Sequence, residues 1–285
     1  MNDGAAPRPI FVIGSLRSGA SLLAASLGQH RDIVLAPDAA WLEQAALGLR
    51  QAFAEDAGRG DLSWFAALGI DDAALFAQIG AAIDRLLLAS ATSLPTRADD
   101  QRPTRWVDGC YTHAFAVAAL HLLFPEARFI HVVRPVEDVV AALTDPAAPA
   151  RFKSRYVPFT PLDACEHWLD AVGSGLDAER ALGSAIVQRV AGPDLVAAPE
   201  AALRRCLTFL EEPFDPACLR PFRGVAQVRQ RVDGADERWA SVPNAARIEA
   251  AALCRASLDG ERRYAPDEWR RAALFDAFRR RADRR

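Results

Sequence analysis

A strand, a glycine turn and a helix open this chain, and that order constrains the fold more than any other feature. Pro9-Ile10-Phe11-Val12-Ile13 is a short apolar run with β-branched members, the pattern of a buried strand. It stops at Gly14-Ser15, and after the turn to Gly19 the segment Ala20 to Leu27 carries leucines at helical spacing and closes at Gly28. In such a turn consecutive backbone N–H groups and a helix N-terminus converge on one point, the arrangement that holds an anion.

The alternation continues along the chain. Ile33 to Ala36 predicts a second short strand, and Arg105-Trp106-Val107-Asp108 another strand end. Arg128-Phe129-Ile130-His131-Val132-Val133 is the second strong strand; it ends at Arg134-Pro135, and Glu137 to Leu143 resumes a helix. Thr112 to Leu123, Leu162 to Leu182 and Glu200 to Leu210 read as helices, and Ala185 to Val190 as a strand. Strands alternating with helices predict an α/β fold of three layers, with a central parallel sheet covered on both faces. From about 41 to 95 the chain is rich in alanine and leucine at helical period, a helical insertion or lid within a single domain spanning 1–285. From Pro221 onward arginines accumulate, and about 266–285 reads as a solvated amphipathic helical tail, suited to packing on the core or to pairing in a homo-oligomer.

Charge and cysteine usage narrow the function. Thirty-four basic against 37 acidic residues give a formal net charge of −3, which excludes a chain-wide basic surface for nucleic acid. Lys153 is the only lysine, so arginine must do nearly all anion binding. Cys110, Cys165, Cys206, Cys218 and Cys254 form neither a CxxC pair nor a metal-ligand spacing, which points to a reducing, cytoplasmic setting and to no metal. No charged leader precedes an apolar run at the N-terminus, and no stretch reads as a membrane span.

Measured against G-x-x-x-x-G-K-[ST], the run Gly14-Ser15-Leu16-Arg17-Ser18-Gly19-Ala20-Ser21 keeps both glycines and the final serine but has Ala20 at the lysine. The strand that ends in Arg134 offers no acidic residue for magnesium, so a metal-dependent ATP or GTP enzyme is disfavoured. Arg17 within the loop and Arg134 at a second strand end, on the same sheet edge, suit a nucleotide held by arginines.

Pro9 to Gly19 with Ser21-Leu22-Leu23, and Phe124 to Arg134 followed by Asp138-Val139-Val140, arrive in the order of the two main blocks of the sulfotransferases, which this chain resembles over roughly residues 9 to 215. The resemblance implies a P-loop nucleotide-hydrolase-like topology and 3′-phosphoadenosine 5′-phosphosulfate as sulfuryl donor. It implies donor contacts from Gly14, Ser15, Arg17, Ser18, Gly19, Ala20 and Ser21 on the 5′ side and from Arg134 on the 3′ side. The expected acceptor is a hydroxyl or amine of a small molecule or glycan. Arg17 would stabilise charge on the bridging oxygen, and Asp38, with His113 and Asp108 as alternatives, would serve as base. The sequence departs from the family where Ala20 replaces the loop threonine, Gly109 a lysine and Ala142 a serine. Two readings follow: a working sulfotransferase, or a degenerate relative kept as a binding or scaffolding subunit. Trp41 and Trp64 are expected to pack in the insertion or to line an acceptor pocket.

Overall fold

The computed structural model describes residues 6–36, 39–91, 103–146, 159–228 and 234–258. Five strands, β1 (Ile10–Gly14), β2 (Ile33–Leu35), β3 (Arg105–Asp108), β4 (Arg128–Val133) and β5 (Val187–Ala191), form one sheet in the order β2-β3-β1-β4-β5. Every neighbouring pair is parallel, with Ile10 opposite Arg128 and Gly14 opposite Val132. All five strands therefore end at one edge, and the turns after β1, β3 and β4 meet there.

The side-chain period of two sorts β1 between two helical layers. Phe11 and Ile13 face a cluster with Trp106, Phe129, Leu42 of α2 (Ala40–Ala57), Leu120 of α5 (Val117–Leu123) and Ala178 of α7 (Pro161–Leu182). Ile10 and Val12 face the other side, toward Leu23 and Leu27 of α1 (Ala20–Leu27) and Leu203 and Leu207 of α9 (Pro199–Leu210). Phe11 stacks on Phe129 with ring centroids 5.2 Å apart and meets Trp106 edge-on at 5.4 Å. Both faces of the sheet are thus buried, which is why its strands read as continuous apolar runs.

The insertion consists of α2, a 3-10 turn (Gly60–Leu62), α3 (Trp64–Ala67) and α4 (Asp72–Ala91). Asp56 orders the corner by accepting from Ser63 Oγ at 2.7 Å and from the amides of Trp64 and Phe65 at 3.2 and 3.0 Å. Trp41 and Trp64 are 50 % and 60 % exposed, and Trp64 meets Phe65 edge-on at 5.3 Å within the insertion. One described segment, Asp72–Ser90 of α4, is long and apolar enough to cross a membrane by length and composition, against the sequence reading that no such stretch exists. One face of α4 docks on the fold: Phe76 is buried, Gly80 lies against the Leu123 carbonyl, and Asp84 accepts from Trp106 Nε1 at 2.9 Å.

The last described helices, α10 (Ala235–Ala240) and α11 (Asn244–Leu258), are not a solvated tail. Val242, Ala250 and Cys254 join Val136 and Val139 of α6 (Val136–Thr144) and Trp168 and Val172 of α7 in a third apolar cluster. The expected tail over 266–285 lies outside the described residues, as does Lys153. All five cysteines are free and buried.

A buried ion cluster crosses β4, β5 and α7. The Glu179 carboxylate accepts from His131 Nδ1 at 2.7 Å and from Arg189 Nε at 3.0 Å, and Arg189 Nη1 donates to the Ser257 carbonyl at 3.0 Å. Burial alone pushes the Glu179 carboxyl up, but the bonds from His131 and Arg189 outweigh it and hold the group below the ordinary glutamate range. A carboxylate whose folded value is depressed stabilises the fold above its unfolded value, about 4.3, and loses that contribution as pH falls through the folded value. Glu179→Gln is expected to remove this acid-labile component and to cost about 3–5 kcal/mol at neutral pH by taking the carboxylate charge from the part-buried Arg189. Urea unfolding of both proteins across that acid range checks the prediction.

Candidate active site

Gly14 lets the chain leave β1 across the end of β4. Its φ is +156°, and a Cβ there would stand 2.5 Å from the Val132 carbonyl oxygen and 2.8 Å from Ser18 Oγ, so a side chain has no room. Arg17 follows in the left-handed region with φ 67°, and Gly19 has φ 104°. The turn is closed by Ser18 N–H donating to the Ser15 carbonyl at 3.0 Å, and Ala20 N–H donates to Ser18 Oγ at 3.3 Å. Gly19 precedes α1 without a side chain of its own, and the first helical amide is met by Ser18 Oγ. Ser21 Oγ donates to the Gly109 carbonyl at 3.3 Å, tying the loop to the end of β3.

Arg134 stands at the end of β4, as the sequence places it. Its Nη1 donates to the Arg17 carbonyl at 3.1 Å, while Nε lies 3.5 Å from Asp138 Oδ2 in a partly exposed ion pair. Trp168 Nε1 donates to the Arg134 carbonyl at 2.9 Å and fixes the strand end. Gly192, which opens α8 (Gly192–Ala197), packs so closely that a Cβ would be 3.2 Å from Arg134 Cβ and 3.3 Å from the Ser18 carbonyl. Burial, and after it the nearby Arg134, lower the pKa of the half-buried Arg17, while Asp145 opposes them. Two guanidiniums in one corner favour an anion between them. Ser15 is 1 % exposed, and its Oγ is buried with no hydrogen-bond partner among the described residues. An orphaned hydroxyl, two arginines and a helix N-terminus form a donor set that fits phosphate or sulfonate oxygens.

Asp108, at the end of β3, is 1 % exposed and acts as a hub. It accepts from the amides of Ala39 at 3.1 Å and Cys110 at 2.8 Å, and His113 Nε2 lies 3.1 Å from its Oδ2. His113 has no exposed surface and packs edge-on against Phe11 at 5.3 Å, which puts it behind the loop as a support for Asp108 and corrects its assignment as a base touching substrate. Asp38 lies outside the described residues; its neighbour Ala39 is fixed by Asp108. The sequence passed over His167, on α7, whose Nε2 accepts the Leu16 N–H of the loop at 3.0 Å. Its partner lies 151 residues away, so no local pattern signals it.

Among the described residues one group has the spacing of metal ligands, His30, Asp32 and Glu212. His30 Nε2 donates to the Pro213 carbonyl and Nδ1 accepts from the Asp32 amide, leaving the ring no lone pair for an ion, and Glu212 pairs with Arg105 at 2.9 Å.

The all-parallel sheet between two helical layers defines a three-layer α/β protein, with the arginine-bearing glycine loop at its strand ends. The model of the Sulfotransferase family matches residues 9–216, and the chain belongs to that family. Among solved structures, the sulfotransferase domain from the Synechococcus PCC 7002 olefin synthase is similar with TM-score 0.52 and 21 % identity, over 89 % of this chain and 96 % of that one. The sulfotransferase domain from the curacin biosynthetic pathway aligns with TM-score 0.53 and 18 % identity, over 93 % and 100 %. Sulfotransferase STF9 from Mycobacterium avium aligns with TM-score 0.52 and 17 % identity, over 92 % and 80 %. These likenesses establish the shared fold. None of the curated proteins compared matches the chain.

Gly109, where the resemblance implies a lysine, is sterically enclosed. A Cβ on Gly109 would lie 2.7 Å from Ala24 Cβ, 3.0 Å from the Ala20 carbonyl and 3.1 Å from Ser21 Cα, because the first turns of α1 press on the end of β3. Restoring the cation alone therefore forces α1 outward. Gly109→Lys is expected to destabilise the protein by about 1–3 kcal/mol without raising anion affinity, measured by denaturant unfolding and by titration with adenosine 3′,5′-bisphosphate.

Proposed function

We propose that this protein transfers a sulfuryl group from 3′-phosphoadenosine 5′-phosphosulfate to a hydroxyl or amine of a small-molecule or glycan acceptor, in the cytoplasm and without a metal. The carrying observation is the convergence of Arg17, Arg134 and the unpaired, buried Ser15 hydroxyl on one glycine loop at the sheet edge. In this reading the loop from Gly14 to Ser21 holds the 5′-phosphosulfate and Arg134 the 3′-phosphate. Transfer proceeds in line, so the protein's task is to position the two substrates and to meet the charge that develops on the bridging oxygen. Arg17 is the group for that charge: it is already half-buried and raised in energy as a cation, so an arriving anion relieves its burial and the repulsion from Arg134.

A second reading, a binding or scaffolding subunit, is favoured by the loop amides already taken by protein groups, Leu16 by His167 and Ala20 by Ser18, and by Ala20 and Ala142, which lack hydroxyls. Calorimetric titration with adenosine 3′,5′-bisphosphate without magnesium, with ATP and magnesium as control, separates the two. A micromolar Kd for the bisphosphate alone is expected, and no heat of binding overturns the enzyme reading. Loss of one hydrogen bond to a charged phosphate costs about 1.5–3 kcal/mol, so Arg134→Ala is expected to weaken the bisphosphate at least about tenfold.

A further inference from the structure

A closed circuit of hydrogen bonds runs through both arginines of the corner. The Leu16 N–H donates to His167 Nε2 at 3.0 Å. The next residue of α7, Trp168, donates from Nε1 to the Arg134 carbonyl at 2.9 Å, and Arg134 Nη1 donates to the Arg17 carbonyl at 3.1 Å. Arg17 is thereby held through the amide of the residue before it and through its own carbonyl. Its φ of 67° lies in the left-handed region that non-glycine residues rarely adopt, and among the described residues only Glu211 shares it. One dipeptide of α7 thus restrains the loop that carries Arg17 and the strand end that carries Arg134. His167 is itself fixed: Tyr111 at 5.7 Å and Phe115 at 6.1 Å, from the 3-10 turn Tyr111–Phe115 after β3, and Phe159 at 5.8 Å, before α7, meet its ring edge-on. Accepting the amide at Nε2 requires the neutral imidazole with its proton on Nδ1. Burial favours that state by lowering the His167 pKa, against the opposing Asp170 on the same helix.

We propose that His167 is a positioning residue: with Trp168 it sets the separation of Arg17 and Arg134, and so selects a nucleotide with two separate phosphates over one with a single phosphate. This rests on the sulfuryl-transfer reading above. His167 moves no proton in this role; its lone pair stays on the Leu16 amide. Two anchors held at one spacing make capture of the second phosphate an intramolecular event, and slack between them lowers its effective concentration. A monophosphate engages one anchor and has no such advantage to lose. Loss of the Leu16 bond opens the circuit, lets the left-handed peptide at Arg17 relax, and slackens the spacing.

The test is the ratio of the Kd for adenosine 5′-monophosphate to that for adenosine 3′,5′-bisphosphate, measured by calorimetry on the full chain. In His167→Leu, which fills the space among the three rings but accepts no hydrogen bond, the ratio is expected to fall at least about tenfold. In His167→Gln, whose Oε1 can stand in for Nε2 as acceptor, it is expected to stay within about threefold of wild type. Amide hydrogen exchange gives a second readout: the Leu16 N–H should exchange at least about tenfold faster in His167→Leu and near the wild-type rate in His167→Gln. A ratio unchanged in His167→Leu, or lost equally in His167→Gln, overturns the positioning role, as does a Leu16 amide that exchanges alike in all three proteins. Wild-type protein that binds both nucleotides equally overturns the proposal and leaves the sulfuryl-transfer reading standing. Wild-type protein that binds neither overturns that reading and the proposal with it. Should His167→Leu misfold, His167→Asn, whose shorter side chain stops short of the amide, takes its place with the same expectations.

Discussion

The crossing of the Gly14 turn over the Val132 carbonyl is the close approach on which the rest of the site depends. With 2.5 Å between that oxygen and the place of a Cβ, only a glycine lets β1 hand the chain to α1 directly across the end of β4. The crossing brings the Arg17 carbonyl within reach of Arg134 and lays the Ser18 carbonyl against Gly192. Three strand ends, β1, β4 and β5, are thereby locked into one corner. The corner is cationic because Arg17 and Arg134 share it, and half-buried because α8 and Trp168 close it from behind.

Much of this was legible in the sequence, for identifiable reasons. The strands β1 and β4 are buried on both faces, so their apolar runs end where the strands end, at Gly14 and Val133. The helical insertion announced itself by long alanine and leucine periodicity. What stayed hidden is tertiary. The fully buried apolar residues of this segment, Val242 between α10 and α11 and Ala250 and Cys254 on α11, are few and spaced among arginines, so the segment reads as solvated although it is packed. Trp41 and Trp64 carry no local signal of exposure. His167 sits in an unbroken helical pattern, and only the return of α7 to the loop gives it a partner. His113 was found by its place after β3, but its depth could not be read from that place.

The departures from the family pattern are not independent of one another. Gly109 has no side chain where Ala24 and the first turn of α1 press against it, and Ala20 belongs to that same turn. Small residues on both sides allow the loop, α1 and β3 to sit closer together, and Ser21 Oγ bonds the Gly109 carbonyl across the narrowed gap. The charged groups of the corner are Arg17 and Arg134, beside the Ser15 hydroxyl and backbone, a set whose charge is insensitive to pH in the neutral range.

The family match ends at residue 216, yet the cover of the third apolar cluster comes from beyond it. Val242, Ala250 and Cys254 lie over Trp168 and Val172, and Trp168 holds the Arg134 carbonyl. The same helix carries His167 and Glu179, and Ser257 receives a bond from Arg189. A chain cut at the family boundary would keep every motif by which it is recognised and still strip the outer wall from α7. The arginine-bearing corner is therefore not a transplantable module: its rear support is borrowed from a segment that motif-based trimming discards.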